Sequence, residues 1–219
     1  LPRRVEGLEP GARLGSPLEG PLAPAWEPPP PAEGGPRQKP VPRFIVYRAE
    51  PAAPEHPGVL EVELPGGRVE SFTVGGILVD AEFRRIDFHC VTGWSVEGRR
   101  WFVTPLEKLV PIPGGGCWAA AESAGGYTAV LPCSEARRAL LALGVDGRPL
   151  PRENGGPLRL LAPSLYGWKS VKWLTRIRIM EGYRDGFWEA LGYHERGLWS
   201  REERFKIRNP ELPTERLEP

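Results

Sequence analysis

The stretch DFHCVTGWSV, residues 87–96, sets a cysteine beside a histidine and then breaks the run with Gly93 and Trp94. A thiolate is a nucleophile and a soft metal ligand, so Cys90 is the first residue to account for. A Cys–His nucleophile pair at 89 and 90 is poor, because neighbours on a strand point to opposite faces. The chain has three cysteines, Cys90, Cys117 and Cys133, with no C-x-x-C and no histidine at zinc-finger spacing. A disulfide framework or structural zinc site is therefore not expected, and Cys117 and Cys133 read as small buried hydrophobes.

A second concentration lies downstream. Asn154 sits in RENGGPLRLLAP, and eleven residues after Arg159 comes Ser170 in YGWKSVKW, which holds Lys169 and Lys172 between Trp168 and Trp173. Backbone amides near Gly167, the Ser170 hydroxyl and a lysine ammonium suit a phosphate. The fork of Arg159 and the amide of Asn154 suit a heterocycle edge or the same phosphate. The plain alternative is a strand with solvated cations and core tryptophans, since the glycines form neither a Walker loop nor a dinucleotide fingerprint. The histidines are His56, His89 and His194, and G-x-S-x-G and H-E-x-x-H are both absent, which leaves serine-hydrolase and zincin chemistry unsupported.

These residues need a scaffold, and 219 residues suffice for one substantial core or two small ones. With 29 basic and 28 acidic residues the net charge is +1, so no global field draws nucleic acid or an anionic membrane. No apolar run is long enough to span a bilayer, and the chain as given is expected to carry neither a membrane span nor an export signal; its localisation is not readable. Scarce Asn, Gln and Met and the excess of Arg over Lys fit a heat-adapted source or high-GC coding.

Residues 1–42, with twelve prolines, are expected to be an extension, residues 43–208 the functional domain and residues 209–219 a tail. After Val41, short apolar or alternating runs between Gly and Pro predict strands in RFIVYRAE, GVLEVELPGG, ESFTVGGILV, RRIDFHCVTG, GCWAAAES, GYTAVLP, GPLRLLAP and VKWLTRIRIM. The last places Val171, Trp173, Thr175, Ile177 and Ile179 on one face and Lys172, Leu174, Arg176, Arg178 and Met180 on a basic one. SEARRALLALGV predicts a helix capped by Ser134 and stopped at Gly144, and PLEKLV a shorter turn. The fold class is α+β: β-rich mixed sheets with few short helices.

Taken together, FHCVTGW, AAAESAGGYTAVLP, ENGGPLRLLAPSLYGWKSVKWL and GFWEALGYHERGLWSREER resemble the molybdopterin-binding oxidoreductase domain of the sulfite oxidase family, in the family's order, from about Pro57 to Arg204. That family includes the catalytic subunit of the bacterial methionine sulfoxide reductase system. The resemblance implies that Cys90 is the single protein ligand of molybdenum, a soft thiolate completing a sphere of pterin dithiolene sulfurs and oxygen ligands. It places pterin contacts on Ser123, Asn154 and Arg159, and the terminal phosphate on Ser170, Val171 and Lys172. It puts Lys169 at the substrate mouth, with Gly93 turning the chain beneath the metal and Trp94 packing. The family's upstream pterin contacts are not reproduced in RFIVYRAEPAAPEHPG, where Tyr47 or His56 are the candidates to replace them.

The activity so implied is oxygen-atom transfer on a small sulfur oxyanion or S-oxide, with the redox chemistry carried by the cofactor. A basic mouth of Lys169, Arg99, Arg100 or Arg176 favours sulfite, and an aromatic one of Trp94, Tyr166 and Trp168 favours a sulfoxide. With no haem motif in the chain, a separate redox partner, a cytochrome or membrane haem protein, exchanges the electrons, and a monomer is expected. The competing reading is a non-catalytic binding module that keeps the fold and holds a partner through exposed aromatics and the proline-rich arm.

Overall fold

The computed structural model describes residues 38–46 and 52–206. The proline-rich extension up to residue 37, Tyr47 and the tail after residue 206 lie outside them. The strands of the first sheet are β1 (Lys39–Pro40), β4 (Glu82–His89), β5 (Trp94–Pro105), β8 (Leu140–Val145), β9 (Arg148–Pro149) and β10 (Arg159–Leu161). Its path is β1-β5-β8-β10, with β4 also paired to β5 and β9 to β8. The second sheet runs β3 (Val69–Thr73), β2 (Val59–Glu63), β11 (Leu174–Met180), β6 (Trp118–Ser123) and β7 (Thr128–Pro132). Both are mixed: β1 runs parallel to β5, and β11 parallel to β2 but antiparallel to β6. With helices α1 (Val74–Leu78), α2 (Cys133–Ala136) and α3 (Phe187–Ala190) of at most five residues, the β-rich mixed-sheet expectation is met.

One core is built from both sheets: Leu60 and Val62 of β2, Ala119 and Ala121 of β6, Ile177 and Ile179 of β11, and Leu141 and Leu143 of β8. Alternation in LEVEL buries Leu60 and Val62 and exposes Glu61, as a half-buried strand requires. In β11 the register shifts between Leu174 and Arg176, and that irregularity turns Leu174, predicted on the basic face, into a fully buried residue. The basic face is salted by acids: Arg176 pairs Glu63 at 2.8 Å and Arg178 pairs Glu122 at 2.5 Å.

The second half of ESFTVGGILV, expected as strand, is helix α1, with the Thr73 hydroxyl accepting from the Gly76 amide at 3.0 Å, and further expectations change. The predicted SEARRALLALGV helix exists only as α2, and Leu140 onward is β8, every residue from Leu140 to Gly144 being buried between β5 and β10. A short apolar run fits a buried strand as well as a helix, and pairing on both edges decides for the strand. The strand expected in RFIVYRAE is not formed at Phe44–Val46, and its remainder lies outside the described residues. The longest strand, β5, escapes prediction because Glu97, Gly98, Arg99 and Arg100 interrupt its apolar pattern, although both its ends are buried.

Cys117 and Cys133 are not free hydrophobes but a disulfide, with Cα atoms 5.4 Å apart. The β6–β7 hairpin brings them together: Trp118 lies opposite Pro132, and the Cys133 amide donates to the Cys117 carbonyl at 3.0 Å. A bridge across 16 residues limits the unfolded chain, so the double Cys117→Ala, Cys133→Ala protein should lose about 3 kcal/mol in urea unfolding. Equal midpoints with and without the bridge would refute that.

Candidate functional site

Cys90 follows the end of β4 and opens the hairpin into β5. Its amide donates to the Trp94 carbonyl at 2.8 Å, its carbonyl accepts from the Gly93 amide at 3.1 Å, and Gly93 takes a φ of 92°, which a glycine adopts without steric cost. This tight turn presents the thiol, free and half-buried, 3.2 Å from the Thr92 hydroxyl. Trp94 is buried, its ring 5.9 Å from that of Phe88, so it packs.

The flanks of the turn are held from below. The buried His89 ring lies 3.9 Å from Trp199 in a stack, with Nδ1 2.6 Å from the Ser95 hydroxyl. Burial pushes its imidazole down to about 4, Asp87 opposing, so the ring is neutral at ordinary pH. Arg204 donates to the Val91 carbonyl inside the turn and pairs Glu202 at 2.5 Å, while its guanidinium lies 5.0 Å over the Tyr166 ring. Glu202 also accepts from the Tyr166 hydroxyl at 3.1 Å. No spacing of residue types points to these supports; the fold brings residues 199–204 to residues 89–91.

The downstream cluster converges around Arg159, only 3% exposed. Its Nη1 donates to the Asn154 carbonyl at 2.8 Å and its Nη2 to the Ser170 carbonyl at 2.7 Å, tying together the two segments singled out in the sequence. Its guanidinium also sits 5.3 Å over the ring of Phe88, two residues before Cys90. Two glycines permit this closeness. A Cβ on Gly155 would lie 2.9 Å from Lys172 Cα, and one on Gly167 would lie 2.4 Å from Phe88 Cζ. Gly167 thus lets the 3₁₀ turn Gly167–Lys169 rest on the strand that ends at Cys90.

Of the remaining predicted residues near Arg159, Asn154 and Lys172 are half-buried while Ser123, Ser170 and Val171 are buried. Lys172 is half-buried and donates to the Glu153 carbonyl at 2.9 Å. The Asn154 side-chain amide has no hydrogen-bond partner among the described residues. Ser123 is buried, its hydroxyl accepting from the Gly125 amide, and the next amide, Ala124, donates to the Trp173 carbonyl at 2.8 Å. The Ser170 hydroxyl accepts from the Ala162 amide at 3.1 Å, and Val171 is buried in the core. His56 bonds to the Leu174 carbonyl at 2.7 Å, beside these residues.

Lys169 does not stand at a mouth. It is 0% exposed, and its ammonium donates to Glu189, to the Val130 carbonyl and to the Glu195 carbonyl. Three acceptors inside the protein satisfy all three of its donors, so none is left for a substrate. The other residues expected at a mouth are also occupied. Arg99 pairs Asp146 at 2.6 Å, Arg100 lies over the Phe83 ring and Arg176 pairs Glu63, while Tyr166 and Trp168 are buried against one another.

Among the described residues no three His, Cys, Asp or Glu side chains gather to hold a metal. Cys90 alone offers a soft ligand, and the anion-binding groups stand apart from it, joined through Phe88 and Arg159. This donor set suits a metal that arrives with most of its own ligands on an elongated anionic carrier. The unpartnered Asn154 side-chain amide leaves a donor for that carrier, and Gly155 lets Lys172 come close beside it, so the residues present fit a molybdenum–pterin.

The architecture is a β-rich mixed-sheet domain that presents one free thiol on a tight turn. Residues 83–188 match the oxidoreductase molybdopterin-binding domain. Over 116 residues the chain is 38% identical to the uncharacterized oxidoreductase YuiH of Bacillus subtilis, covering 51% of this chain and 59% of that protein. Over 61 residues it is 46% identical to the protein-methionine-sulfoxide reductase catalytic subunit MsrP of Xanthomonas campestris, covering 28% of this chain and 19% of that one. The matches thus span less than two thirds of each of those relatives. The sulfane dehydrogenase SoxCD of Paracoccus pantotrophus aligns at 21% identity and a TM-score of 0.48, over 56% of this chain and 38% of its own. Residues 83–188, just under half of the chain, are thus similar to an oxidoreductase molybdopterin-binding domain, in line with the resemblance seen in the sequence.

Proposed function

We propose that this chain is a molybdenum–pterin oxidoreductase that transfers one oxygen atom to or from a small sulfur substrate, with electrons exchanged through a separate haem-bearing partner. The observation that carries the reading is the free Cys90 thiol on its tight turn, linked through Phe88 and Arg159 to the Asn154, Ser170 and Lys172 rim. Bound there, the group would supply two-electron oxygen-atom exchange.

The protein's own part is to hold and orient. Cys90 ligates the metal, Ser123, Asn154 and Arg159 face the pterin, and Ser170, Val171 and Lys172 take the phosphate. Arg204 fixes the turn through the Val91 carbonyl, and the His89–Trp199 stack closes one side of it against water.

Between the two substrate classes, a neutral S-oxide is favoured. Lys169, Arg99 and Arg176 are committed to internal carboxylates, and Arg100 to an aromatic face, which leaves none of them to gather a free anion. The name of the MsrP relative points the same way. The reaction is then S-oxide plus two electrons and two protons giving sulfide and water.

The test is metal analysis of protein made in a molybdopterin-competent host, followed by turnover with methionine sulfoxide and with sulfite. About one molybdenum per chain and reduction of the sulfoxide are expected. Folded protein without molybdenum would leave a binding module that keeps the fold. Lys172→Ala should retain cofactor about tenfold less well through dialysis, since one charge-assisted hydrogen bond is lost. Unchanged retention would move the phosphate elsewhere.

A further inference from the structure

A cavity of about 610 Å³ opens on the other flank of β4, and none of the residues assigned above to the pterin lines it. Its rim carries four guanidinium groups, Arg84 and Arg85 from β4 and Arg137 and Arg138 from the segment after α2. Arg84 is committed to Glu82 at 2.7 Å through Nε, and Arg138 lies 3.8 Å from Glu135. Arg85 and Arg137 are exposed and have no hydrogen-bond or ion-pair partner among the described residues. The lining carboxylates are Asp87 and Glu107, and Asp87 already accepts from the Gly98 amide. With Glu82 and Glu135 set against the arginines they pair, the cations left without a partner are Arg85 and Arg137, and they stand at one cavity.

The floor is different in kind. Ile86, Leu140 and Pro163 give it an apolar base. A pocket of this volume suits a molecule of mononucleotide size. Unpaired guanidinium forks above an apolar base match a phosphate or a pair of carboxylates on a flat apolar body. We propose that this cavity binds an organic dianion with such a body, its charge held between Arg85 on one wall and Arg137 on the other. His89, which flanks the Cys90 turn, also lines the cavity, but the two arginines that hold the charge belong to no part of the pterin assignment, so the proposal does not depend on the molybdenum reading.

The probe is 1-naphthyl phosphate, titrated calorimetrically into the purified full chain, with inorganic phosphate and 1-naphthol as controls. Naphthyl phosphate should bind at least about tenfold more tightly than either control, and added salt should weaken it. The Arg85→Glu, Arg137→Glu protein should lose that binding by about tenfold or more, with an unchanged melting temperature because both side chains are exposed and unpaired. The milder Arg85→Gln, Arg137→Gln pair should lose it in part and serves if the first does not fold. Lys172→Ala should bind the probe as the parent does. Absent binding, equal binding by the arginine variants, inorganic phosphate binding as tightly as the naphthyl ester, or loss of binding in Lys172→Ala would each overturn the assignment.

Discussion

Cys90→Ser should fold as the parent does and turn over no substrate. The side chain is half-buried, its hydrogen-bonding contact is the Thr92 hydroxyl at 3.2 Å, and the turn is held by backbone bonds that a serine keeps. Stability should therefore change by less than about 1 kcal/mol. On the proposed ligation, the metal would lose a soft sulfur for a hard, mostly protonated oxygen. Loss of a group that merely orients a metal ligand costs about 10- to 100-fold, so loss of the ligand itself should cost more than about 100-fold in kcat. The visible absorption of the bound cofactor should change in parallel. A serine protein with parental activity and spectrum would remove Cys90 from the metal.

Lys169→Met should destabilise the fold by roughly 3–5 kcal/mol in urea unfolding. Burial pushes the lysine down and Glu189 holds it charged, so removing the ammonium strands a carboxylate that is itself 1% exposed. The carbonyls of Val130 and Glu195 lose a donor at the same time. The double protein Lys169→Met, Glu189→Leu should recover much of the loss, because neither buried charge remains. A substrate-binding lysine predicts the opposite pattern: a raised KM, nearly parental stability and no rescue by the second substitution.

The same lysine marks where sequence reading stops. YGWKSVKW shows two lysines three apart, and the chain alone gives no sign that one turns inward to Glu189 while the other stays on the rim beside Glu153. Pairing partners 20 residues away and on another element decide it. Strands such as LEVEL were readable because each apolar residue had an inward neighbour of period two. β8 was not, since a fully buried strand has no polar face to declare its period, and α2 lent it a helical beginning. The converging segments at Asn154 and Ser170 were visible as concentrations of Asn, Arg, Ser and Lys, whereas the Arg159 bridge between their carbonyls and the Arg204 brace on Val91 are backbone contacts that no residue pattern announces.

Of the three cysteines, two end as a bond and one is a free thiol, and if that thiol is the metal ligand proposed above, thiol sorting is part of maturation. Cys117 and Cys133 meet by the register of one hairpin, where Trp118 faces Pro132, so local folding brings them to bonding distance. Cys90 belongs to the other sheet and stays half-open to oxidants. An oxidising milieu that closes the hairpin bond also threatens Cys90 with sulfenic acid or a mixed disulfide. Metal loading that precedes oxidation removes that hazard by occupying the sulfur, and the order of these two events then sets how much of the protein reaches an active form.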